Sequence, residues 1–520
     1  MIPCPLQECK EKFRGRGEPG PRFPFFGTGR GLPGENREKI RKKCYQNGRR
    51  SGIVTLYRYG QTRRGTGGKG GGRVRSLKRY LAVLFAALSL AGTLSGCSLN
   101  LAASPEDLYA LPQLPAEYAG LNNSIRQLIE AGAEYAAPTA GTNLQPLQLV
   151  DLDGDGQEEA LAFLRRGSDE RALKIHIYER TEQGYAQSAV IEGSGTAVYS
   201  VDYRDLDGDG RQEILVSWKV GPEMQVLSVF TIHLGTPREL MNSGYIRYAA
   251  ADLDGCGREE LLIFRTDEQG AGTADYYAWT DDGTLAPAGV ARLSMTMAEL
   301  SAGQVLSGTL RGSVPAVFAT GVSDSRIQVT DVLALRQGEL GNLTVSNSTG
   351  VSREIYRYMG LVPTDIDGDG VTELPVPEDL LSSGDADPGC RINWRSYDAA
   401  GVGITALSTY HALADGWYLE LPENWGKALS VRTEGEGTEA SMASFGFGSG
   451  EDRTEVLRIY TFSGENRETL AAKGGRILLS REGETIYAAE LLGGSASALT
   501  EDALRQRFHR ITRVWNLGGN

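Results

Sequence analysis

A nine-residue acidic pattern recurs along the chain, and it constrains the fold more than any other feature of the sequence. The four clear copies begin at Asp151, Asp205, Asp252 and Asp365. Their starts are 54, 47 and 113 residues apart. Because the last interval is about twice the others, we expect a degenerate copy at residues 308–316. A period near 50 residues is typical of repeat architectures, so the sequence predicts five repeats.

Each intact copy has the chemistry of a hard-cation site. Acidic residues stand at positions one, three, five and nine, and glycines at positions four and six. Ca²⁺ takes about six to eight oxygen ligands, and glycine permits the backbone angles of a tight loop. Four carboxylates in nine residues would repel one another without a cation. Three intact copies at one period therefore favour calcium loops over solvated acidic turns.

The residues after the loops predict strands, not helices. An EF-hand needs an acid at position twelve and flanking helices, yet Ala162 and Val216 occupy that position in the first two copies. Dockerin loops also lead into helices. Here short apolar runs of strand length follow, at residues 160–164, 214–218 and 261–264. In the second repeat we predict four strands, which is the number that a propeller blade requires: 196–203, 213–219, 225–233 and 238–243.

Loop, strand and period together resemble the FG-GAP or VCBS-type repeat, known from integrin α-subunit propellers and many bacterial surface proteins. The resemblance covers residues 146–410. It implies a mainly β fold, a β-propeller of about five four-stranded blades with Ca²⁺-binding loops. By match of position it also implies three complete ligand sets: Asp151, Asp153, Asp155 and Glu159; Asp205, Asp207, Asp209 and Glu213; Asp365, Asp367, Asp369 and Glu373.

Two repeats depart from that pattern. Cys256 replaces the central aspartate of the third loop and exchanges a hard oxygen for sulfur, which suits Ca²⁺ poorly. We expect calcium to be weakened or absent there, although Asp252, Asp254 and Glu260 remain. The fourth repeat has lost every acid, and we expect a purely structural turn.

Residues 75–97 resemble a bacterial lipoprotein signal peptide. A basic flank precedes an apolar run at residues 81–92, and the sequence Leu94, Ser95, Gly96 and Cys97 resembles a lipobox. The run is marginal for a membrane span. The resemblance implies lipidation of Cys97, with the rest of the chain lipid-anchored on the extracytoplasmic face of the cell membrane.

Three further segments flank the signal and the repeats. Residues 1–74 are a basic leader, predicted to be disordered and to result from a mis-assigned start. Residues 98–145 have the composition of a tether with one helix near 116–133. Residues 411–520 alternate apolar and polar residues and then open a helix at Thr500, its predicted N-cap, so we expect a separate α+β module.

Charge and motifs favour binding over catalysis. From Cys97 onward the chain carries a net charge of about -28, which disfavours nucleic acid and anionic membranes as partners. It contains four histidines and none of the common hydrolase, metalloprotease or phosphate-loop motifs. Whether Cys256 and Cys390 pair is left open.

We expect a monomeric surface binding or adhesion protein that recognises an extracellular protein or glycan and contacts the membrane only through its lipid. Two alternatives remain open. One is a carbohydrate- or cell-wall-active enzyme on a propeller scaffold, with two acids roughly 5–10 Å apart. The other is a non-binding spacer that presents the C-terminal module.

Overall fold

The computed structural model describes residues 118–222, 224–346, 348–382, 389–493 and 499–511. They belong to one compact unit, Pro105–Asn520. In this described part the fold is mainly antiparallel β, and no helix is both long and apolar enough to cross a membrane. The predictions for residues 1–74, for the signal segment 75–97 and for lipidation of Cys97 lie outside the described residues.

Four antiparallel sheets follow one another along residues 134–357, and in each of them four consecutive strands pair in chain order. Two short strands add to them: β1 pairs with β3 beside β2, and β18 pairs with β16. The strands of the first two sheets are β1 (Glu134–Tyr135), β2 (Leu147–Val150), β3 (Glu159–Arg165), β4 (Leu173–Thr181), β5 (Gly184–Gly193), β6 (Ala197–Arg204), β7 (Glu213–Lys219), β8 (Gln225–His233) and β9 (Thr236–Tyr245). Those of the next two are β10 (Arg247–Ala251), β11 (Glu260–Thr266), β12 (Gly272–Trp279), β13 (Leu285–Arg292), β14 (Gln304–Leu310), β15 (Val314–Val322), β16 (Ile327–Arg336), β17 (Glu339–Asn342) and β18 (Ile355–Arg357).

In the second sheet, the strand that follows the loop is apolar on both faces because a neighbouring sheet packs on each side. In β7, Val216 and Trp218 belong to a core shared with Phe163 of the first sheet. Leu215, on the opposite face, belongs to a core shared with Ile263 of the third sheet. Similar cores join the third sheet to the fourth and the fourth to the fifth. The repeats therefore stabilise one another through shared apolar faces.

The four strands predicted for the second repeat are confirmed. They are β6, β7, β8 and β9, and β7 and β8 have the predicted bounds. The regularity has a simple cause: the apolar runs are strand-length and the glycine-rich loops between them stop each strand.

The described part of the predicted tether is not a spacer. Helix α1 (Ala119–Glu130) buries Leu121 and Ile125 against Tyr178 and Tyr185 of the first sheet. Residues 134–135 then pair with β3, and the backbone N–H of Thr139 donates to the carbonyl of Tyr199 at 2.9 Å. From residue 118 onward this segment is part of the repeat structure.

Two more sheets complete the described chain. The fifth sheet contains β19 (Leu374–Asp379), β20 (Cys390–Tyr397), β21 (Gly403–Ala412) and β22 (Trp417–Glu420); the sixth contains β23 (Leu429–Glu434), β24 (Ala440–Phe447), β25 (Thr454–Phe462), β26 (Ile477–Glu482) and β27 (Thr485–Leu491); and β28 (Phe508–Arg510) returns to the fifth beside β22. Short helices α2 (Met297–Ser301), α3 (Arg467–Ala472) and α4 (Glu501–Arg507) connect strands. Thr500 caps α4 as predicted, because its hydroxyl accepts from the N–H of Ala503.

The predicted boundary between residues 410 and 411 needs correction, because it falls inside β21. Strands β22 and β28, which come from the supposed separate module, complete the sheet of the last repeat. One apolar core also contains Tyr410 of that sheet together with Phe445 of the sixth. The C-terminal segment is α+β as expected, but it continues the repeat region instead of standing apart from it.

Candidate metal centres

Backbone hydrogen bonds fold each intact acidic loop around its first aspartate. In the first loop, Asp151 accepts from the N–H of Gly154 at 2.8 Å and of Gly156 at 2.9 Å. Asp153 accepts from the N–H of Asp155 at 3.2 Å. The loops that begin at residues 205 and 365 repeat these three bonds. The glycines have positive φ, and therefore the loop needs glycine at both positions.

A buried glutamate closes each loop at position nine. Its carboxylate accepts from the N–H of the residue at position two, for example Glu213 from Leu206 at 2.9 Å. Equivalent bonds bind Glu159, Glu260 and Glu373. Glu159, Glu213 and Glu260 are the first residues of the strands after their loops, and Glu373 directly precedes β19. All four glutamates are buried. The glutamate thus joins the loop to the sheet.

The structure brings three acids of each intact loop together. One carboxylate oxygen from each of the residues at positions one, three and nine lies within 4.8 Å of the other two. A cation bound at about 2.3–2.6 Å would hold its ligands up to about 5 Å apart, so one ion can bridge each set. The sets are Asp151, Asp153 and Glu159; Asp205, Asp207 and Glu213; Asp365, Asp367 and Glu373.

The aspartate at position five lies outside these sets. Asp155, Asp209 and Asp369 are exposed, and each accepts the backbone N–H of the residue at position seven instead. The motif alone could not show this, because a carboxylate at this position can turn either to the cation or to the adjacent backbone.

The third loop keeps the arrangement but not the oxygen chemistry. Asp252, Asp254 and Glu260 converge as in the other loops, and the Sγ atom of Cys256 joins the group. Asp252 accepts from Gly257 at 3.0 Å, but its second oxygen is buried with no hydrogen-bond partner among the described residues. Cys256 and Cys390 are both free. Sulfur is a poor ligand for Ca²⁺, and the weakening of calcium binding at this loop stays a prediction.

The fourth copy is a plain hairpin turn, as predicted. Strands β14 and β15 pair directly, with Gly308 opposite Ala316, and the turn passes through Gly312 and Ser313. Ala316 stands where the other copies have glutamate, and it is fully buried. This repeat offers no carboxylate for a metal.

Successive repeats are joined by one recurring backbone bond. The N–H at position eight of a copy donates to the carbonyl at position two of the copy before it. Gln212 donates to Leu152 at 2.8 Å, Glu259 to Leu206 at 2.7 Å, and Thr372 to Thr309 of the degenerate copy at 2.8 Å. At the remaining junction Pro315 stands at position eight and has no N–H to donate. The bond places neighbouring loops at equivalent positions.

The donor set fits Ca²⁺. Each of the three intact sets offers only hard oxygen ligands, and Oε1 of Glu373 is buried without a partner among the described residues. A buried carboxylate oxygen without a partner is costly unless a cation or a proton satisfies it. Burial, together with the nearby aspartates, raises the pKa of Glu159, Glu213, Glu260 and Glu373 to about 7, against the opposing effect of the backbone bond at position two.

The histidines have structural partners. His176 in β4 lies within hydrogen-bond distance of Gln187, and His233 in β8 within hydrogen-bond distance of Arg211. His509 lies in β28, where its Nε2 is 2.7 Å from Glu420. The helix ends at Arg507 because the chain turns there to pair with β22.

The sequence pattern missed a cavity of about 850 Å³ beside the third loop. Its lining includes Tyr199, Asp202 and Tyr248. These residues do not recur from repeat to repeat, so the motif that revealed the loops gave no signal for them.

Comparisons with known proteins support the repeat. Residues 151–216 match the FG-GAP-like repeat model, a stretch that contains the first two acidic loops and the sheet between them. No curated protein matches the sequence. The crystal structure of the exotype rhamnogalacturonan lyase YesX is similar with a TM-score of 0.24 and 15% sequence identity, covering 64% of this chain and 72% of that chain. So low a TM-score carries no argument about fold or activity.

Proposed function

We propose that this chain is a calcium-stabilised binding or adhesion protein, anchored by lipid on the extracytoplasmic face of a bacterial cell membrane. In this proposal the successive sheets form a β-propeller of about five blades, which recognises a protein or glycan as a monomer. Calcium holds the turns between strands, and the protein does not act as an enzyme.

One observation carries the proposal. In each of the first three sheets an acidic loop lies between the first and second of four consecutive strands, and the recurring bond between positions eight and two joins three of the four pairs of neighbouring copies. Sheets that pack face to face in sequence, with the loop at the same place in each, are the arrangement that radial repetition requires. The match of residues 151–216 to the FG-GAP-like repeat supports the same architecture.

The location rests on the sequence. The lipobox-like residues 94–97 favour export and lipid attachment. The acidic charge that follows favours cations over nucleic acid as partners. Loops that require calcium also suit an extracellular medium, where weaker calcium sites are filled.

Calcium binding is tested by stoichiometry and melting temperature on the purified chain. We expect three Ca²⁺ per chain, one for each intact loop, by isothermal titration calorimetry of chelator-treated protein. At a calcium concentration 100 times the dissociation constant, each filled site adds about 2.7 kcal/mol to the free energy of unfolding. Mg²⁺ at the same concentration is the control. An unchanged melting temperature after chelation would refute the metal assignment.

Lipid attachment is tested by metabolic labelling of bacteria that express the full chain. The wild type is expected to incorporate labelled fatty acid and to fractionate with membranes. Cys97→Ala should abolish both, whereas Cys256→Ser, the matched control, should not. Labelling that persists in Cys97→Ala contradicts the proposed anchor.

A further inference from the structure

The cavity of about 850 Å³ lies where the first strands of three sheets approach one another. Its walls come from β6, β10 and β14, and residues 140–142 close one side. Asp252 and Glu259 of the third loop border it. The volume falls within the range of small-ligand sites, roughly 300–1,000 Å³.

Each of these strands is an edge strand, since it pairs with only one other strand of its sheet. Edge strands present backbone N–H and C=O groups on their free side. Two of the carbonyls of β6 already have partners. The backbone N–H of Thr139 donates to Tyr199, and the side-chain amide of Asn143 donates to Val201. On β10, the hydroxyl of Ser307 donates to the carbonyl of Ala250 at 2.9 Å. The free edge of β10 before Ala250 thus offers backbone groups to a ligand in the cavity.

Both arginines that line the cavity already have partners. Arg204 pairs with Glu259 at 3.4 Å, and Arg247 donates to the carbonyl of Ser301 at 2.8 Å. Asp202 accepts the N–H of Tyr203 and makes no ion pair with any residue that the structure describes. With the two guanidiniums engaged, the lining has no cluster of cations that would select an anionic ligand.

Three tyrosines supply the remaining chemistry. Tyr199, Tyr245 and Tyr248 line the cavity, and the rings of Tyr245 and Tyr248 meet edge to face at 5.5 Å. The hydroxyl of Tyr245 already bonds Ser217. Burial, and secondarily the charge of Asp202, raises the pKa of Tyr248, and both residues line the cavity. Aromatic rings beside an unpaired carboxylate match a ligand with apolar faces and many hydroxyl groups.

We infer that this cavity binds an uncharged saccharide. The Asp202 carboxylate accepts hydrogen bonds from sugar hydroxyls, while Tyr199 and Tyr248 contact the C–H faces of the rings. Charged hydrogen bonds of this kind are the strong ones, and a tyrosine offers contact area at low conformational cost. The inference rests on the proposed binding function and assigns its ligand class.

The test uses the full chain with calcium and a panel of neutral oligosaccharides of glucose, mannose, galactose and xylose, measured by isothermal titration calorimetry. Oligogalacturonate serves as the acidic comparison. We expect at least one neutral oligosaccharide to bind and the acidic one not to bind.

Point variants assign the contacts. Asp202→Asn, which keeps an oxygen for the N–H of Tyr203, should raise the dissociation constant at least about tenfold. Tyr199→Ala should do the same. The matched controls are Asp324→Asn and Tyr135→Ala at exposed positions, and they should change it less than about twofold. Tyr248→Leu removes the aromatic ring at similar volume and should also raise the dissociation constant about tenfold, so it provides the answer if either other variant fails to fold.

The outcomes separate this inference from the proposed function. If no neutral oligosaccharide binds, or only the acidic one does, the saccharide assignment is overturned. Unchanged affinity in both Asp202→Asn and Tyr248→Leu also overturns it. In each of these cases the shift of the melting temperature with calcium tests the calcium-stabilised fold independently.

Discussion

The second and third acidic loops fold in the same way and differ most at position five, which is Asp209 in the second loop and Cys256 in the third. Both close on a buried glutamate and both bring three acids together. In the second loop, however, both oxygens of the first aspartate accept backbone N–H groups, whereas in the third one oxygen of Asp252 has no partner among the described residues. The turn therefore keeps its overall shape when cysteine stands at position five. Whether Cys256 also weakens calcium binding is what the predictions below test.

The fourth repeat extends that comparison. Its nine-residue copy has no acids, yet β14 and β15 pair in regular register and the N–H of Thr372 still donates to the carbonyl of Thr309. Its sheet is held by apolar cores shared with the third and fifth sheets. The apolar cores therefore suffice to arrange these sheets, and in the proposed function calcium adds only to the stability of individual turns.

The largest effect is expected from placing glutamate at position nine of the fourth copy. Ala316→Glu introduces a carboxylate into a fully buried position with no other acid to share a cation. It should lower the free energy of unfolding by about 3 kcal/mol or more, measured by urea denaturation. Ala316→Gln, of the same size, separates charge from volume and should cost less. A fourth calcium ion bound by Ala316→Glu would contradict the view that this repeat has lost its site.

Next in size is the loss of a ligand from the second loop. Glu213→Gln removes the charge and keeps an oxygen for the N–H of Leu206. In saturating calcium the free energy of unfolding of this variant should be about 2.7 kcal/mol lower than that of the wild type, which is the contribution of one filled site. In chelator the variant should melt no lower than the wild type, because it relieves repulsion among the carboxylates.

Glu260→Gln in the third loop is the matched control for Glu213→Gln. It should reduce the stabilisation by calcium much less, since sulfur already weakens that site. Equal losses at both loops would show that Cys256 has no effect on calcium.

Restoring oxygen at the third loop should produce a gain. We expect Cys256→Asp to raise the stoichiometry from three Ca²⁺ to four and to add up to about 2.7 kcal/mol in saturating calcium. Cys390→Asp is not a suitable control because Cys390 is buried, so Cys256→Ser serves instead: it supplies a neutral oxygen and should not restore a full site. A stoichiometry of three in Cys256→Asp would mean that something other than sulfur disables this loop.

The sequence predicted what depends on local pattern. Strands β7 and β8, the cap at Thr500 and the hairpin of the fourth copy follow from apolar runs, turn glycines and spacing. It did not predict what depends on partners distant in sequence. The composition of residues 118–145 suits a tether, yet Leu121 and Ile125 are buried by the first sheet.

The site shows the same limit. The motif identified the acids at positions one, three and nine. They converge because they lie within nine residues of one another in the chain. It could not show that Asp155 turns to the backbone N–H of Gln157. Nor could it place Asp202 beside Tyr248, because the two side chains come from edge strands of different sheets. The sequence placed a domain boundary between residues 410 and 411 that the structure does not have. The reason is similar, since β28 lies far along the chain from its partner β22.

The smallest expected effect concerns how neighbouring loops touch. A Cβ atom at Gly154 would lie 2.4 Å from the carbonyl oxygen of Gly210 in the second loop, whereas one at Gly255 of the third loop would meet nothing within 4 Å. Both glycines have positive φ, of 75° and 76°, so alanine costs about 1 kcal/mol at either position. Gly154→Ala should lower the free energy of unfolding by at least about 1 kcal/mol more than Gly255→Ala does, because the first or the second loop must shift to make room for the Cβ atom. Thermal melts in chelator isolate this packing difference from calcium. Equal melting temperatures for the two variants would mean that the first two loops are not in rigid contact.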